Sequence, residues 1–226
     1  MDIRELNSKL ISEYGEPEPP KDQTDIDYLI ETILSQNTND KNRDKAFNNL
    51  KDKYDNYKEI EEADRDELTD TIRIAGLGPT KAERIQKCLT QIREDKGEYT
   101  LEFLENKSVE EGKDYLSDLP GIGPKTAAII LCFYFGKPVM PVDTHVHRVS
   151  KRLGLVPKNS SRTKSHNVLE NKVPDDIKYE FHRLLITHGR KVCTARNPSC
   201  NKCILSESCK YYKEVVEGEK DPSEYN

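Results

Sequence analysis

Residues 119–149 read LPGIGPKTAAIILCFYFGKPVMPVDTHVHRV, and the order of residue types in that stretch decides both fold class and chemistry. Gly121 and Gly123 predict a tight turn. Pro124 stands where a helix opens, with Lys125 and a run of small apolar residues behind it. A turn of this kind feeding a helix aims several backbone N–H groups at one point, where they can hold a phosphate. Lys125 falls in the first helical turn, at the positive end of the helix dipole, which favours an uncharged, nucleophilic amine. Asp143 follows 18 residues later, beyond a break rich in Gly and Pro. Phosphate grip, amine and carboxylate together point to covalent chemistry on a sugar–phosphate backbone. On residue type alone, Lys125 also reads as an ordinary phosphate-binding lysine, and Asp143 as the N-cap of a helix starting near Thr144.

Outward from the hairpin the periodicity is helical. Ile26, Leu29, Ile30, Ile33 and Leu34 form one apolar stripe, and Ala46, Phe47 and Leu50 begin another. Asp64 with Glu67 three residues on predicts a capped start to the helix carrying Leu68 and Ile72. Pro174 opens a later helix bearing Ile177, Phe181, Leu184 and Leu185, which Gly189 is expected to end. Sustained strand alternation is absent, so the fold is expected to be all-α. Two helical domains fit the order of motifs. Residues 25–136 form a bundle ending in the hairpin helix, and residues 1–24 join 137–226 as a second domain carrying the cysteine-rich loop 193–209. On this reading Lys125 and Asp143 come from different domains and face a cleft that could receive a base turned out of a duplex. The tail EVVEGEKDPSEYN (214–226), acidic and rich in turn formers, reads as mobile.

Of the 226 residues, 34% are hydrophobic and 34% charged, so a core must form economically beneath a heavily charged surface. No apolar run approaches the roughly 20 residues of a membrane span, and the start MDIRELNSKL lacks the basic-then-apolar build of a signal peptide. A soluble monomer is expected, cytoplasmic if the source is prokaryotic. The formal charge of −5 conceals an asymmetry. Residues 145–213 hold 15 Lys and Arg against 5 Asp and Glu, leaving 21 against 36 elsewhere. Local potential along a groove draws phosphates more than total charge does, so the basic part is a candidate polyanion surface.

The six cysteines divide. Cys88 and Cys132 sit within apolar helical patterns and read as small core residues. Cys193, Cys200, Cys203 and Cys209 follow the spacing C-x6-C-x2-C-x5-C, which in an intracellular chain suggests metal ligands before disulfides. Zinc and an iron–sulfur cube both accept four thiolates, although zinc sites usually pair two C-x2-C knuckles. Arg190, Lys191, Arg196 and Lys202 surround the array and suit a finger that touches phosphate.

The hairpin LPGIGPKTA, the Gly/Pro loop, the Asp of VDTH and the run FHRLLITHGRKVCTARNPSCNKCILSESC occur in this order and spacing in the helix-hairpin-helix DNA glycosylases, and the chain resembles the endonuclease III family most closely, from about Ile26 to Lys213. The resemblance implies a base-excision enzyme acting on double-stranded DNA with damaged bases or abasic sites. Lys125 would be its nucleophile, with Asp143 deprotonating the lysine or stabilising charge on the sugar. It implies a 4Fe–4S cluster on the four cysteines and a monovalent cation held by hairpin carbonyls. Gly121 and Gly123 would grip DNA, as would Arg190 and Lys191. Gln36 or Asn37, with Gln36 preferred, would fill the gap left by the extruded base, and Leu77 would wedge into the opposite strand. Asp40 aligns with an active-site carboxylate or caps a helix. His145 orients Asp143, touches phosphate or is a structural histidine. The other histidines show no metal-ligand grouping.

The resemblance favours removal of oxidised pyrimidines and cleavage of the abasic site by β-elimination. Another base preference (mismatched thymine, uracil or adenine) is the nearest alternative, and Lys125 speaks against the adenine and mismatch branches. A non-catalytic helix-hairpin-helix DNA-binding protein and a redox protein using the cluster are the remaining readings.

Overall fold

A computed structural model describes residues 2–17, 23–218 and 220–225; residues 18–22, assigned above to the second domain, lie outside them. The chain divides into two compact units, Pro20–Phe135 and Met1–Pro19 with Gly136–Asn226. Eleven α-helices occur among the described residues. They are α1 (Ile3–Tyr14), α2 (Asp25–Ser35), α3 (Asp40–Lys53), α4 (Tyr57–Glu62), α5 (Arg65–Ile72) and α6 (Gly78–Lys96), then α7 (Val109–Asp118), α8 (Pro124–Phe133), α9 (Thr144–Leu153), α10 (Arg162–Lys172) and α11 (Lys178–Lys191). No strand is present among the described residues, and the fold is all-α as the periodicity requires.

In the unit Pro20–Phe135, side chains start most helices. Thr24 accepts from the Asp27 amide and opens α2, and Asp64 accepts from Asp66 and Glu67 and opens α5. Ser108 and Glu111 form a reciprocal capping box on α7. Asn39 rather than Asp40 caps α3; Asp40 is its first residue and pairs with Arg43 at 3.4 Å. The stripe from Ile26 to Leu34 is fully buried, together with Ile85, Leu89 and Ile92 of α6 and Ile130 and Leu131 of α8. Each such side chain contributes roughly 1.5–3 kcal/mol when removed from water. Cys88 and Cys132 lie in this core, and burial pushes the Cys88 thiol up to about 12.

The other unit buries Leu6 and Leu10 of α1 against Val146, Val149 and Leu153 of α9 and Phe181 and Leu185 of α11. Two expectations change here. Gly189 does not end α11, which runs on to Lys191. A Cβ at Gly189 would lie 3.1 Å from the His145 ring, so the glycine serves close approach of α11 to α9. The tail, expected to be mobile, packs back on its own unit at Tyr225. Tyr225 is buried, packs edge-on against Tyr211 with centroids 5.3 Å apart, and donates to Glu214 at 2.9 Å. Burial of that aromatic ring offsets the entropy of fixing a polar segment.

Glu61 of α4 joins α4 to α6. Its carboxylate accepts from Arg93 at 2.9–3.2 Å, Thr90 at 2.8 Å and the Tyr99 hydroxyl. The Arg93 guanidinium holds Glu61 down at about 2, against 4.5 when free. A carboxylate lowered on folding stabilises above its unfolded value, and that stabilisation is lost as pH falls from 4.5 toward 2. Glu61→Gln should therefore cost about 2 kcal/mol at pH 7 and almost nothing near pH 2, read by urea unfolding at both pH values.

Candidate active site

The hairpin turn follows α7. Leu119 caps that helix, Ile122 N donates back to Leu119 O at 3.0 Å, and Gly121 takes φ 80°. Gly123 is the N-cap of α8 and contributes no side chain, and Pro124 begins the helix. Lys125 comes next and is exposed. The turn is tied down through its carbonyls. Cys88 Sγ donates to Pro120 O at 3.4 Å, and Gln36 Nε2 donates to Gly121 O at 3.1 Å. Arg84 Nη1 in turn donates to Gln36 Oε1 at 2.7 Å, and its side chain covers Gly121 so closely that a Cβ there would meet Arg84 Cδ at 2.3 Å. Arg84 was not singled out in the sequence. Its partners are 37 and 48 positions away, and an arginine in a polar helix ordinarily reads as solvated.

Gln36 is the C-cap of α2 and half-buried, and Asn37 behind it takes φ 53°. Leu77, the N-cap of α6, also takes φ 53° and is 55% exposed. The structure thus brings Gln36 onto the hairpin and presents Leu77 to solvent on constrained backbone.

In the unit containing Gly136–Asn226, residues 138–142 lead to Asp143. Four side chains from behind fix this strap. Lys178 Nζ donates to Pro138 O at 2.9 Å, Glu170 accepts from Met140 N at 2.6 Å, and His166 and His182 meet Met140 O and Pro141 O at 2.9 and 2.8 Å. These histidines are structural and serve the loop. Asp143 is half-buried and caps α9, its Oδ1 accepting from Val146 N at 2.7 Å. His145 Nδ1 lies 3.0 Å from Arg148 Nη2, so its ring is held by α9 itself.

The cysteine loop hangs from α9. Arg148 Nε donates to Cys193 O at 3.0 Å, and Arg152 donates to Thr194 O and Ala195 O at 2.6 and 2.9 Å while lying 4.7 Å over the Tyr211 ring. Arg190 and Lys191 end α11 exposed, and Arg196 and Lys202 are exposed within the loop. A structural zinc would draw four sulfurs to about 2.3 Å from one point, and among the described residues no three His, Cys, Asp or Glu side chains converge in that way. Cys193, Cys200, Cys203 and Cys209 border one small cavity with Arg152, His188 and Tyr211. Burial holds His188 down at about 4, so its imidazole is neutral beside Cys203.

Comparison with known proteins places these features. Residues 30–175 match the family described as HhH-GPD superfamily base excision DNA repair protein. The chain is 34% identical to endonuclease III of Thermotoga maritima over 96% of both chains. It is 36% identical, over 84% of its length, to an Arabidopsis thaliana protein that bears a DNA glycosylase name, and spans 63% of that protein. It resembles the solved structure of a trapped endonuclease III–DNA covalent intermediate with a TM-score of 0.78 and 29% identity, covering 96% of this chain and 99% of that one.

The close fit at Gly121 makes a test of the hairpin. Gly121→Ala adds a methyl group where φ is 80° and Arg84 already stands. It should cost about 1–2 kcal/mol of stability. It should also weaken binding to double-stranded DNA, read by fluorescence anisotropy, more than Gly76→Ala, where a Cβ meets nothing within 4 Å.

Proposed function

This chain belongs to the HhH-GPD superfamily of base excision DNA repair proteins, and we propose that it is a DNA glycosylase of the endonuclease III type that removes oxidised pyrimidines from duplex DNA and cleaves the abasic site it makes. The observation that carries this reading is an exposed lysine in the first turn of α8, directly behind a glycine turn whose carbonyls are anchored from beneath. Backbone N–H groups at such a turn hold DNA phosphate without regard to sequence.

Lys125 supplies the amine. Its Nζ, once deprotonated, attacks C1′ of the damaged nucleotide, the C1′–N bond breaks, and the base leaves with the bonding pair and a proton. The sugar ring opens as the nitrogen pair forms the iminium, with O4′ taking a proton. The iminium acidifies the C2′ proton; once a base removes it, the electron pair forms C2′=C3′ and the 3′ phosphate departs. Water then hydrolyses the Schiff base and frees Lys125. Asp143 acts as the base that readies Lys125, or offsets positive charge developing on the sugar. Its cap bond to Val146 fixes the carboxylate for either task. His145, Arg190 and Lys191 add positive or hydrogen-bonding groups for phosphate.

The four cysteines fit a 4Fe–4S cluster: four thiols border one cavity. Cys193, Cys200, Cys203 and Cys209 would be its ligands. Such a group would cross-link the loop, and Arg148 and Arg152 hold the same loop from α9. Purified protein should contain iron and inorganic sulfide in equal amounts, and Cys203→Ser should lose both, measured by elemental and sulfide analysis.

The reaction is tested by borohydride trapping on duplex DNA bearing thymine glycol. The wild-type protein should give a covalent adduct and Lys125→Gln none, while both still bind the duplex. Trapping by Lys125→Gln would sink the assignment of the nucleophile. Asp143→Asn keeps a good N-cap, so helix stability should hold while the rate falls by about 10²-fold.

A further inference from the structure

Asn37 and Leu77 are the two non-glycine residues with left-handed backbone among the described residues. That conformation costs a residue with a Cβ about 1–2 kcal/mol and persists only where the surroundings enforce it. Both positions follow a helical turn whose last carbonyls would otherwise go unpaired. One side chain meets both turns. Lys81 of α6, 1% exposed, donates from Nζ to Leu34 O at the end of α2 and to Ala75 O at the end of the 3₁₀ turn Arg73–Ala75, each at 2.8 Å. Those acceptors precede Asn37 by three residues and Leu77 by two. Burial lowers the affinity of Lys81 for its proton, so a core chosen for stability alone would place an apolar side chain here.

We propose that Lys81 is a positioning residue that holds the Gln36–Asn37 loop and the Leu77 loop in one fixed relation for entry into duplex DNA. The inference rests on the reading above, in which a base is extruded from the duplex. Extrusion leaves a hole in the stack and an unpaired base opposite it. An amide such as Gln36 can bond to the orphaned base, and an apolar side chain such as Leu77 can keep the stack from closing. The two must arrive together, with a spacing held to a fraction of the roughly 3.4 Å between stacked bases. Gln36 is fixed at its amide by Arg84 and Gly121 O. Leu77 is 55% exposed and no side-chain bond caps α6 at that point, so its backbone position depends on the turn before it.

The test compares wild type with Lys81→Met on an abasic site placed in a duplex and in a single strand of the same sequence. A single strand has no stack to hold open. The duplex rate divided by the single-strand rate should fall about tenfold in Lys81→Met. The fall should vanish when Gln36→Ala and Leu77→Ala are already present, because the lysine would act only through those loops. Equal loss on both substrates, or full additivity with the loop variants, overturns the proposal. Wild-type protein that neither cleaves nor is trapped on either substrate overturns the glycosylase reading instead. If Lys81→Met does not fold by circular dichroism, Lys81→Gln, whose shorter chain can serve at most one carbonyl, takes its place. A wild-type ratio in that variant overturns the proposal.

Discussion

A backbone turn that grips phosphate with its own N–H groups cannot also use those groups to hold its shape, so it must be anchored through its carbonyls. The hairpin meets this constraint with Cys88 on Pro120 O and Gln36 on Gly121 O. The same device recurs wherever this chain leaves regular helix near the candidate chemistry. Lys178, His166 and His182 hold carbonyls of the strap before Asp143, and Arg148 and Arg152 hold those of the cysteine loop. Lys81 holds two helix ends. Buried carbonyls need partners, and here polar side chains from neighbouring helices supply them. The loops thereby become as rigid as the helices that carry the donors.

This device explains what could be read in the sequence and what could not. Helices are local: the stripe Ile26–Leu34, the Asp64 cap and the Pro124 start are written in neighbouring residues, and the structure keeps them. The hairpin with Lys125, and Asp143 at the head of α9, were legible for the same reason, since a turn and a cap need only a few adjacent residue types. Carbonyl partners are not local, and a carbonyl has no residue type. Lys81 and Arg84 look like ordinary members of a charged helix, and His166 and His182 like unassigned histidines. Gly189 misled because a glycine near a helix end resembles a stop signal, whereas its role is set by His145 on another helix. Tyr225 misled through its acidic neighbours, since composition cannot show that one ring finds Tyr211.

The donors also bear on how charge is used. Residues 145–213 carry the excess of Lys and Arg, yet Lys151, Arg152 and Lys178 within them are buried. Part of the apparent phosphate-attracting charge is therefore structural. Of the cations left at the surface, Arg190, Lys191, Arg196 and Lys202 lie at the end of α11 and in the cysteine loop, and others lie on α10 and beyond Cys209. A few exposed charges on a rigid loop lose less side-chain entropy per phosphate contact than the same number on a mobile one.

Helix α9 is where these strands of reasoning meet. Its N-terminus is Asp143, whose carboxylate bonds to Val146 N, and its first turn carries His145 against Gly189. One and two turns on, Arg148 and Arg152 reach the carbonyls of residues 193–195. A ten-residue helix with both ends engaged moves as a unit, because its own hydrogen bonds resist bending over so short a span. Loosening the cysteine loop would remove partners of the half-buried Arg148 and the buried Arg152, and the strain would reach Asp143 through α9 without any direct contact. A cross-link among the four cysteines would then be felt at the carboxylate as alignment. That mechanical coupling rests on the hydrogen bonds of α9 alone.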